Sequence, residues 1–234
     1  MKLNLQQILK RKNPYLFKAK NLITPQDLVK GLLDAHLSSQ EETLFGAFLE
    51  QLAIHVCSKT CDGRKSATEG IDLEFVSGGA LYLVAVKSGP NWGNSSQITK
   101  MKDNFRKAKK ILGTNAAKQN TVCVNGCCYG RDNKPDKGDY IKLCGERFWT
   151  LISGNDRLYL DIIKPLGYEA KEHDEAFQIE YGKALTVFAR EVDHDFFKPD
   201  GTANWDKIVQ FNAAQVELKI KRVSTVEEVL IYEP

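Results

Sequence analysis

The sequence predicts a mixed α/β fold: a central mixed sheet flanked by helices. Three observations carry this expectation. Two β-rich apolar runs, 71–76 and 81–87, are separated by Gly78-Gly79, the pattern of a hairpin with buried strands. A stripe of Leu44, Phe45, Phe48, Leu49, Leu52, Ala53 and Val56 before the hairpin, and one of Ile98, Met101, Phe105, Ala108 and Leu112 after it, repeat at helical spacing. A further apolar run, 121–125, follows the second stripe. Helix, hairpin, helix and strand in that order make a sheet covered by helices.

Taken in order, residues 3–9 read as a short helix that Asn13-Pro14 ends, with Tyr15-Leu16-Phe17 as an apolar anchor. Thr24-Pro25-Gln26-Asp27 supplies the cap, proline and acid of a helix start, and this helix runs to about Leu37. Ser38, with Glu41 three residues on, reads as a capping box opening a second helix. Glu42 sits at the edge of that helix's apolar stripe. Residues 58–69 read as a polar loop. After the hairpin, 89–94 form a loop and Ser95-Ser96 start a basic helix reaching about Leu112. The long segment 126–142, with Tyr129 and Tyr140, reads as a loop of the length that often carries function. Helices are expected at 145–153, 156–164, 172–190 and 205–214, a turn region at 195–204, and a strand over 215–223. The whole chain is expected to be one domain, 1–234, with 1–37 and the mostly helical 145–234 as elaborations of the core.

Composition sets limits. The chain has 234 residues, 42% hydrophobic and 27% charged, enough for a proper core. A net charge of +3 does not by itself argue for nucleic acid. Its distribution says more: Lys100, Lys102, Arg106, Lys107, Lys109 and Lys110 face only one acid, Asp103, in their stretch, and Arg131, Lys134, Lys137 and Lys142 form a second basic group. The acids gather later, at Glu169, Glu172, Asp174, Glu175 and Glu180. No apolar stretch is long enough to span a bilayer and no signal-peptide pattern opens the chain, so a cytoplasmic protein without membrane partner is expected. In that compartment the six cysteines are not expected to form disulfides. Their spacing, Cys57-x3-Cys61 and Cys123-x3-Cys127-Cys128 with Cys144, lacks the tight pairing of common zinc modules, and buried or incidental thiols are the favoured reading. His36, His55, His173 and His194 make no metal spacing.

The charge in the hairpin is what a plain core hairpin does not need. Asp72 and Glu74 share one strand face, and Lys87 ends an otherwise uncharged strand. Carboxylate and ammonium on neighbouring buried strands cost desolvation unless they pair or hold a metal. A buried ion pair is the simpler reading of these three residues alone. The run that follows, Ser88-Gly89-Pro90-Asn91-Trp92-Gly93-Asn94-Ser95-Ser96-Gln97, is small and polar around one tryptophan and ends at a helix start. Small residues permit close backbone approach and a helix N-terminus attracts phosphate.

These residues resemble a family. Ile71-Asp72, then Ala85-Val86-Lys87, follows the pattern of the PD-(D/E)XK nuclease superfamily, and the element order agrees. Residues 13–20, 38–43, 87–97 and 125–131 are similar to type II restriction endonucleases, a resemblance spanning roughly 13–165. It implies a restriction-endonuclease-like core and Mg²⁺-dependent, sequence-specific hydrolysis of double-stranded DNA. It further implies a homodimer suited to a palindromic site, and a cognate DNA methyltransferase. One departure stands out: the second acidic position falls on Ala85. The replacement acid is sought at Glu42 first, Glu74 second, then Asp103. Under this resemblance Asp72, Lys87 and Glu42 are catalytic, and Asp72, Glu42, Glu74 and the Val86 carbonyl are candidate Mg²⁺ ligands. Asn91, Trp92, Asn94, Ser95, Ser96, Gln97, Lys100, Lys102, Arg106 and Lys134 are candidate DNA contacts, and so are Asn125, Tyr129, Arg131, Asp132 and Asn133, which could include base readers in the groove. Two other functions stay open: a non-catalytic DNA-binding protein on a nuclease fold, which Ala85 keeps alive, and a structure-specific repair nuclease.

Overall fold

A computed structural model describes residues 4–113, 120–166, 170–214, 219–221 and 229–231. The chain divides into two compact units, residues 1–39 with 172–234, and residues 40–171.

The first unit is helical. Helix α1 (Leu5–Arg11) is capped by Asn4, whose side chain accepts from Gln7 N. Asn13-Pro14 does more than end α1. The Asn13 side chain accepts from Tyr15 N and Leu16 N, and Pro14 takes the first position of α2 (Pro14–Ala19). Of the expected anchor only Phe17 is buried; Tyr15 and Leu16 are exposed. Phe17 joins Leu5, Ile8 and Leu9 of α1 and Leu28, Val29, Leu32 and Leu33 of α3 (Pro25–Thr60) in one apolar cluster. Phe188, Val192 and Phe196 of α7 (Ala170–Phe196) and Ile208 of α8 (Trp205–Ala213) complete it. A short ladder, β6 (Lys219–Lys221) with β7 (Val229–Ile231), belongs to the same unit. The rest of the strand expected over 215–223 lies outside the described residues, as do the side chains of Leu112, Glu169, Glu172 and His173.

Helix α3 begins as expected: Asp27 N donates to Thr24 Oγ1, and Thr24 Oγ1 donates to Asp27 Oδ2. It does not restart at Ser38. The helix is continuous for 36 residues. Next to the expected cap, Ser39 Oγ donates back to the Ala35 carbonyl at 3.0 Å, a bond made inside a continuing helix. The strong helix formers Gln40, Glu41 and Glu42 carry the backbone through.

The second unit is a sheet between helices. Its five strands lie in chain order: β1 (Arg64–Lys65), β2 (Leu73–Ser77), β3 (Ala80–Lys87), β4 (Asn120–Cys127) and β5 (Ile141–Cys144). The β1–β2 and β2–β3 pairs are antiparallel; β3–β4 and β4–β5 are parallel. Gly78 and Gly79 both have positive φ, as a two-residue hairpin turn with the right twist requires. Strands β1 and β5 fall in segments that the sequence reads as loops; each is too short to show a pattern of its own. The β3–β4 crossover is α4 (Ser95–Gly113), which buries Met101, Phe105 and Ala108 against Leu83, Ala85 and Cys123. The opposite face carries Leu49, Ala53 and Cys57 of α3, and Phe148, Trp149 and Ile152 of α5 (Glu146–Ser153), packed on Leu73, Val84, Val86 and Val124. Thus α5, expected among the elaborations, packs in the sheet core, and a short α6 (Leu158–Asp161) follows it. Each large apolar side chain fully buried in these clusters contributes roughly 1.5–3 kcal/mol.

Gly126 in β4 has no room to spare, since a Cβ there would run into the Phe148 ring. Gly126→Ala is expected to cost about 1–3 kcal/mol by overpacking, read as a lower urea midpoint. An unchanged midpoint would mean that the α5 layer gives way more easily than this packing implies.

Candidate active site

Asp72 stands one residue before β2. Its amide donates to the Val84 carbonyl at 2.9 Å, although Leu73 is the register partner of Val84. Two residues of one strand therefore oppose one of the other, the arrangement of a β-bulge, which re-aims a side chain. The Asp72 carboxylate turns to the end of β3, where Oδ2 accepts from Val86 N at 2.7 Å. Lys87 Nζ lies 3.6 Å from the same oxygen and donates to the Val86 carbonyl at 2.8 Å. The ammonium is thus held between a carboxylate and a carbonyl, with the Lys87 and Asp72 side chains partly open to solvent and Val86 buried. A third neighbour is the Trp92 ring, whose centroid lies 5.4 Å from Nζ.

The remaining candidates separate into groups. Glu74 is buried, with Arg64 Nε on Oε1 at 2.7 Å and Ser66 Oγ on Oε2 at 2.9 Å. Both oxygens serve the β1–β2 edge, which speaks against Glu74 as the missing ligand. Asp103 is on α4 and pairs with Arg106 at 3.0 Å. Ala85 is buried against α4. Glu42 is exposed and lines, with Lys87, Ser88 and Trp92, an open cleft of about 670 Å³. Gly46 lets α3 approach this cleft closely, since a Cβ there would meet Ser88 Oγ at 2.8 Å. One turn further along, half-buried Glu50 is a residue the sequence did not single out. Burial pushes the Cys128 thiol up to about 12; Glu50 adds to the rise and Lys87 opposes it. Spacing from Glu42 and Gly46 at four-residue steps could have flagged Glu50.

Among the expected DNA contacts, several are engaged elsewhere. Asn94 Oδ1 accepts from Gln97 N, and Gln97 Oε1 accepts from Asn94 N, a reciprocal cap that starts α4. Asn125 is 1% exposed and cannot face a groove. Asp132 is consumed by Lys134 N at 2.9 Å, Lys137 Nζ at 3.0 Å and Lys142 Nζ at 3.5 Å. Lys102 and Arg106 both reach Asp139, at 3.2 and 3.4 Å. Asn91, Ser95, Ser96, Lys100, Tyr129, Arg131, Asn133 and Lys134 are exposed. Tyr129, Arg131 and Asn133 line a second cleft with Arg147 and Tyr159, two residues the sequence reading passed over because they lie in unremarkable helical surroundings.

Among the described residues no three of His, Cys, Asp and Glu gather to hold a metal ion. The donors that do converge are hard oxygens, the Asp72 carboxylate and the Val86 carbonyl, now bridged by an ammonium. One carboxylate and one carbonyl with the balance from water suit Mg²⁺ and would not suit a soft metal.

A family model for the type II restriction endonuclease EcoO109I matches residues 1–174 of the 234-residue chain. The chain belongs to the EcoO109I restriction endonuclease family. The match and the mixed sheet flanked by helices bear out the family resemblance and the fold class expected from Asp72 and Ala85-Val86-Lys87. No curated protein matches the chain. No helix among the described residues is long and apolar enough to cross a membrane.

The Lys102 hydrogen bond, with Arg106 beside it, holds the Asp139 carboxyl below its ordinary value of 3.8. A depressed carboxylate pKa means that the link between this loop and α4 is intact above 3.8 and is lost as pH falls through the lower folded value. Carboxyl ¹³C titration of Asp139 is expected to show a midpoint below 3.8 that rises toward it in Lys102→Met. An identical midpoint in both proteins would remove Lys102 as the cause.

Proposed function

We propose that this member of the EcoO109I family is a type II site-specific deoxyribonuclease that hydrolyses phosphodiester bonds of double-stranded DNA in a Mg²⁺-dependent reaction. The observation that carries the reading is the Lys87 ammonium held between Asp72 Oδ2 and the Val86 carbonyl beside an open cleft. Asp72 and the Val86 carbonyl would hold Mg²⁺, with a carboxylate of α3 as the further ligand. The bound ion would supply a water of lowered pKa and polarisation of the scissile phosphate. Lys87 orients the attacking water by hydrogen bonding and stabilises the negative charge that develops on the phosphoryl oxygens. Asp72 keeps Lys87 at the strand end and Val86 N keeps Asp72 there.

The DNA would lie along the cleft and the exposed basic residues Lys100, Arg131, Lys134 and Arg147, with Tyr129 and Asn133 nearest the groove edges. Lys102 and Arg106 would exchange Asp139 for phosphate. A homodimer fits cleavage of both strands of a symmetric site, and a methyltransferase of the same specificity would protect the host DNA. Residues 40–171 would carry the chemistry, with 1–37 and the C-terminal helices as elaborations. The buried Ala85 is the specific observation behind a second reading, a DNA-binding protein without catalysis.

Plasmid DNA incubated with Mg²⁺ is expected to give discrete fragments, and Lys87→Ala is expected to bind the same DNA but cut it at least a hundredfold more slowly. Binding without cleavage by the unaltered protein would favour the second reading; nicking confined to branched or damaged substrates would favour a repair nuclease.

The carboxylate that stands in for the one absent at Ala85 has its own test. Glu42→Gln keeps the shape and removes the charge. It is expected to lower Mg²⁺-dependent cleavage more than about tenfold and to raise the Mg²⁺ concentration needed for half-maximal rate. Glu74→Gln, whose carboxylate serves Arg64 and Ser66, is expected to change the rate far less. Normal activity in Glu42→Gln with loss in Glu50→Gln would move the ligand two turns along α3.

A further inference from the structure

Lys87 is held by more than Asp72. The face of the Trp92 indole lies over its ammonium, and Trp92 Nε1 donates to Asn125 Oδ1 at 3.1 Å. Asn125 Nδ2 in turn donates to the Ala85 carbonyl at 3.2 Å. Asn125 and Ala85 are register partners on the parallel strands β4 and β3, so the carboxamide spans from one strand to the next within the sheet. At 1% exposure Asn125 is, with Glu74, one of two buried polar residues among those described. A buried amide costs free energy unless its donors and acceptor are matched, and here both ends are matched, one to the backbone of the strand that bears Lys87 and the other to the indole over Lys87. The loop that carries Trp92 is tied down independently, since Lys142 Nζ donates to the Pro90 carbonyl at 2.8 Å. Trp92 also packs on the α4-side cluster.

We propose that Asn125 and Trp92 are positioning residues for Lys87. The buried carboxamide sets the plane of the indole, and the indole face sets the place of the ammonium beside Asp72. A ring over an ammonium favours the cation by its quadrupole. It also adds no negative charge that DNA phosphates would have to approach. Buried Asn125 then does not touch DNA, and Trp92, although it lines the cleft, turns its indole face to Lys87, in contrast to the DNA-contact role expected of both from sequence. The proposal rests on Lys87 acting in hydrolysis for its kinetic consequence, but not for its structural one.

Two measurements separate these. The first needs no activity. In protein carrying ¹³C-labelled lysine, the Lys87 ε-methylene signal, assigned by its absence from Lys87→Arg, is expected upfield of the other lysines because of the indole ring current. It should return to the ordinary position in Trp92→Ala and move toward it in Asn125→Leu. Trp92→Phe keeps a ring and loses the N–H, and should leave the signal between these limits. A Lys87 signal at the ordinary position in unaltered protein, or one unmoved by Asn125→Leu in a folded variant, overturns the proposal. The second measurement is the split between binding and turnover. Trp92→Ala is expected to slow single-turnover cleavage by between about two- and thirtyfold, with DNA affinity in Ca²⁺ unchanged and partial recovery in Trp92→Phe. Weaker DNA binding with an unchanged turnover rate would make Trp92 a DNA contact and end the positioning role. If the unaltered protein does not cleave DNA, the nuclease reading falls while the lysine spectra still decide the geometry.

Discussion

One carboxylate oxygen, Asp72 Oδ2, joins two strands and a cation. It takes the Val86 amide at 2.7 Å and lies 3.6 Å from the Lys87 ammonium. The bulge lets the Asp72 side chain run along the strand toward the end of β3. The rest of the site follows from where that end is. Strands β3 and β4 are parallel, so Lys87 and Cys127 finish side by side, and the pairing continues into the loops through Cys128 N to the Lys87 carbonyl and Tyr129 N to the Ser88 carbonyl. Open sheets of this kind form their crevices at the carboxyl ends of parallel strands, and the cleft beside Lys87 is such a crevice.

The elements around that end are locally coded. The hairpin was legible because two glycines with positive φ separate two apolar runs, and α4 because its buried side recurs at Met101, Phe105 and Ala108. What was illegible needed the third dimension. Strand β5 has four residues and β1 two, and neither length can show alternation. Ser38 looked like a cap because serine hydroxyls accept from backbone amides. A serine hydroxyl inside a helix can instead donate back to a carbonyl one turn earlier, as that of the neighbouring Ser39 does.

Helical spacing also reports a face without reporting what lies against it. Of the stripe on α3, Leu49 and Ala53 are buried under the sheet, whereas Leu44, Phe45 and Phe48 are exposed. The same limit applies to polar residues. Asn125 and Asp132 were plausible groove contacts by type and position, but each has its hydrogen-bonding capacity directed inward. Asp72 and Lys87 were legible only through their wider setting, the pattern Ile71-Asp72 then Ala85-Val86-Lys87 and the small polar run after it, since by residue type alone they read as an ion pair. Glu50 was not, because a glutamate on a long helix is ordinary until the fold brings it toward Cys128.

The tip of the β2–β3 hairpin has a practical consequence. Among the described residues nothing lies within 4 Å of a Cβ placed on Gly78 or Gly79, and the turn is separated from Asp72 and Lys87 by the full length of the ladder. The distance between the two site residues is fixed by hydrogen bonds at the far end of the strands, not by the connection between them. New chain termini could therefore be opened between the two glycines, or a small reporter domain spliced in there, and β2 and β3 would still meet in register, because what aligns them is the ladder itself.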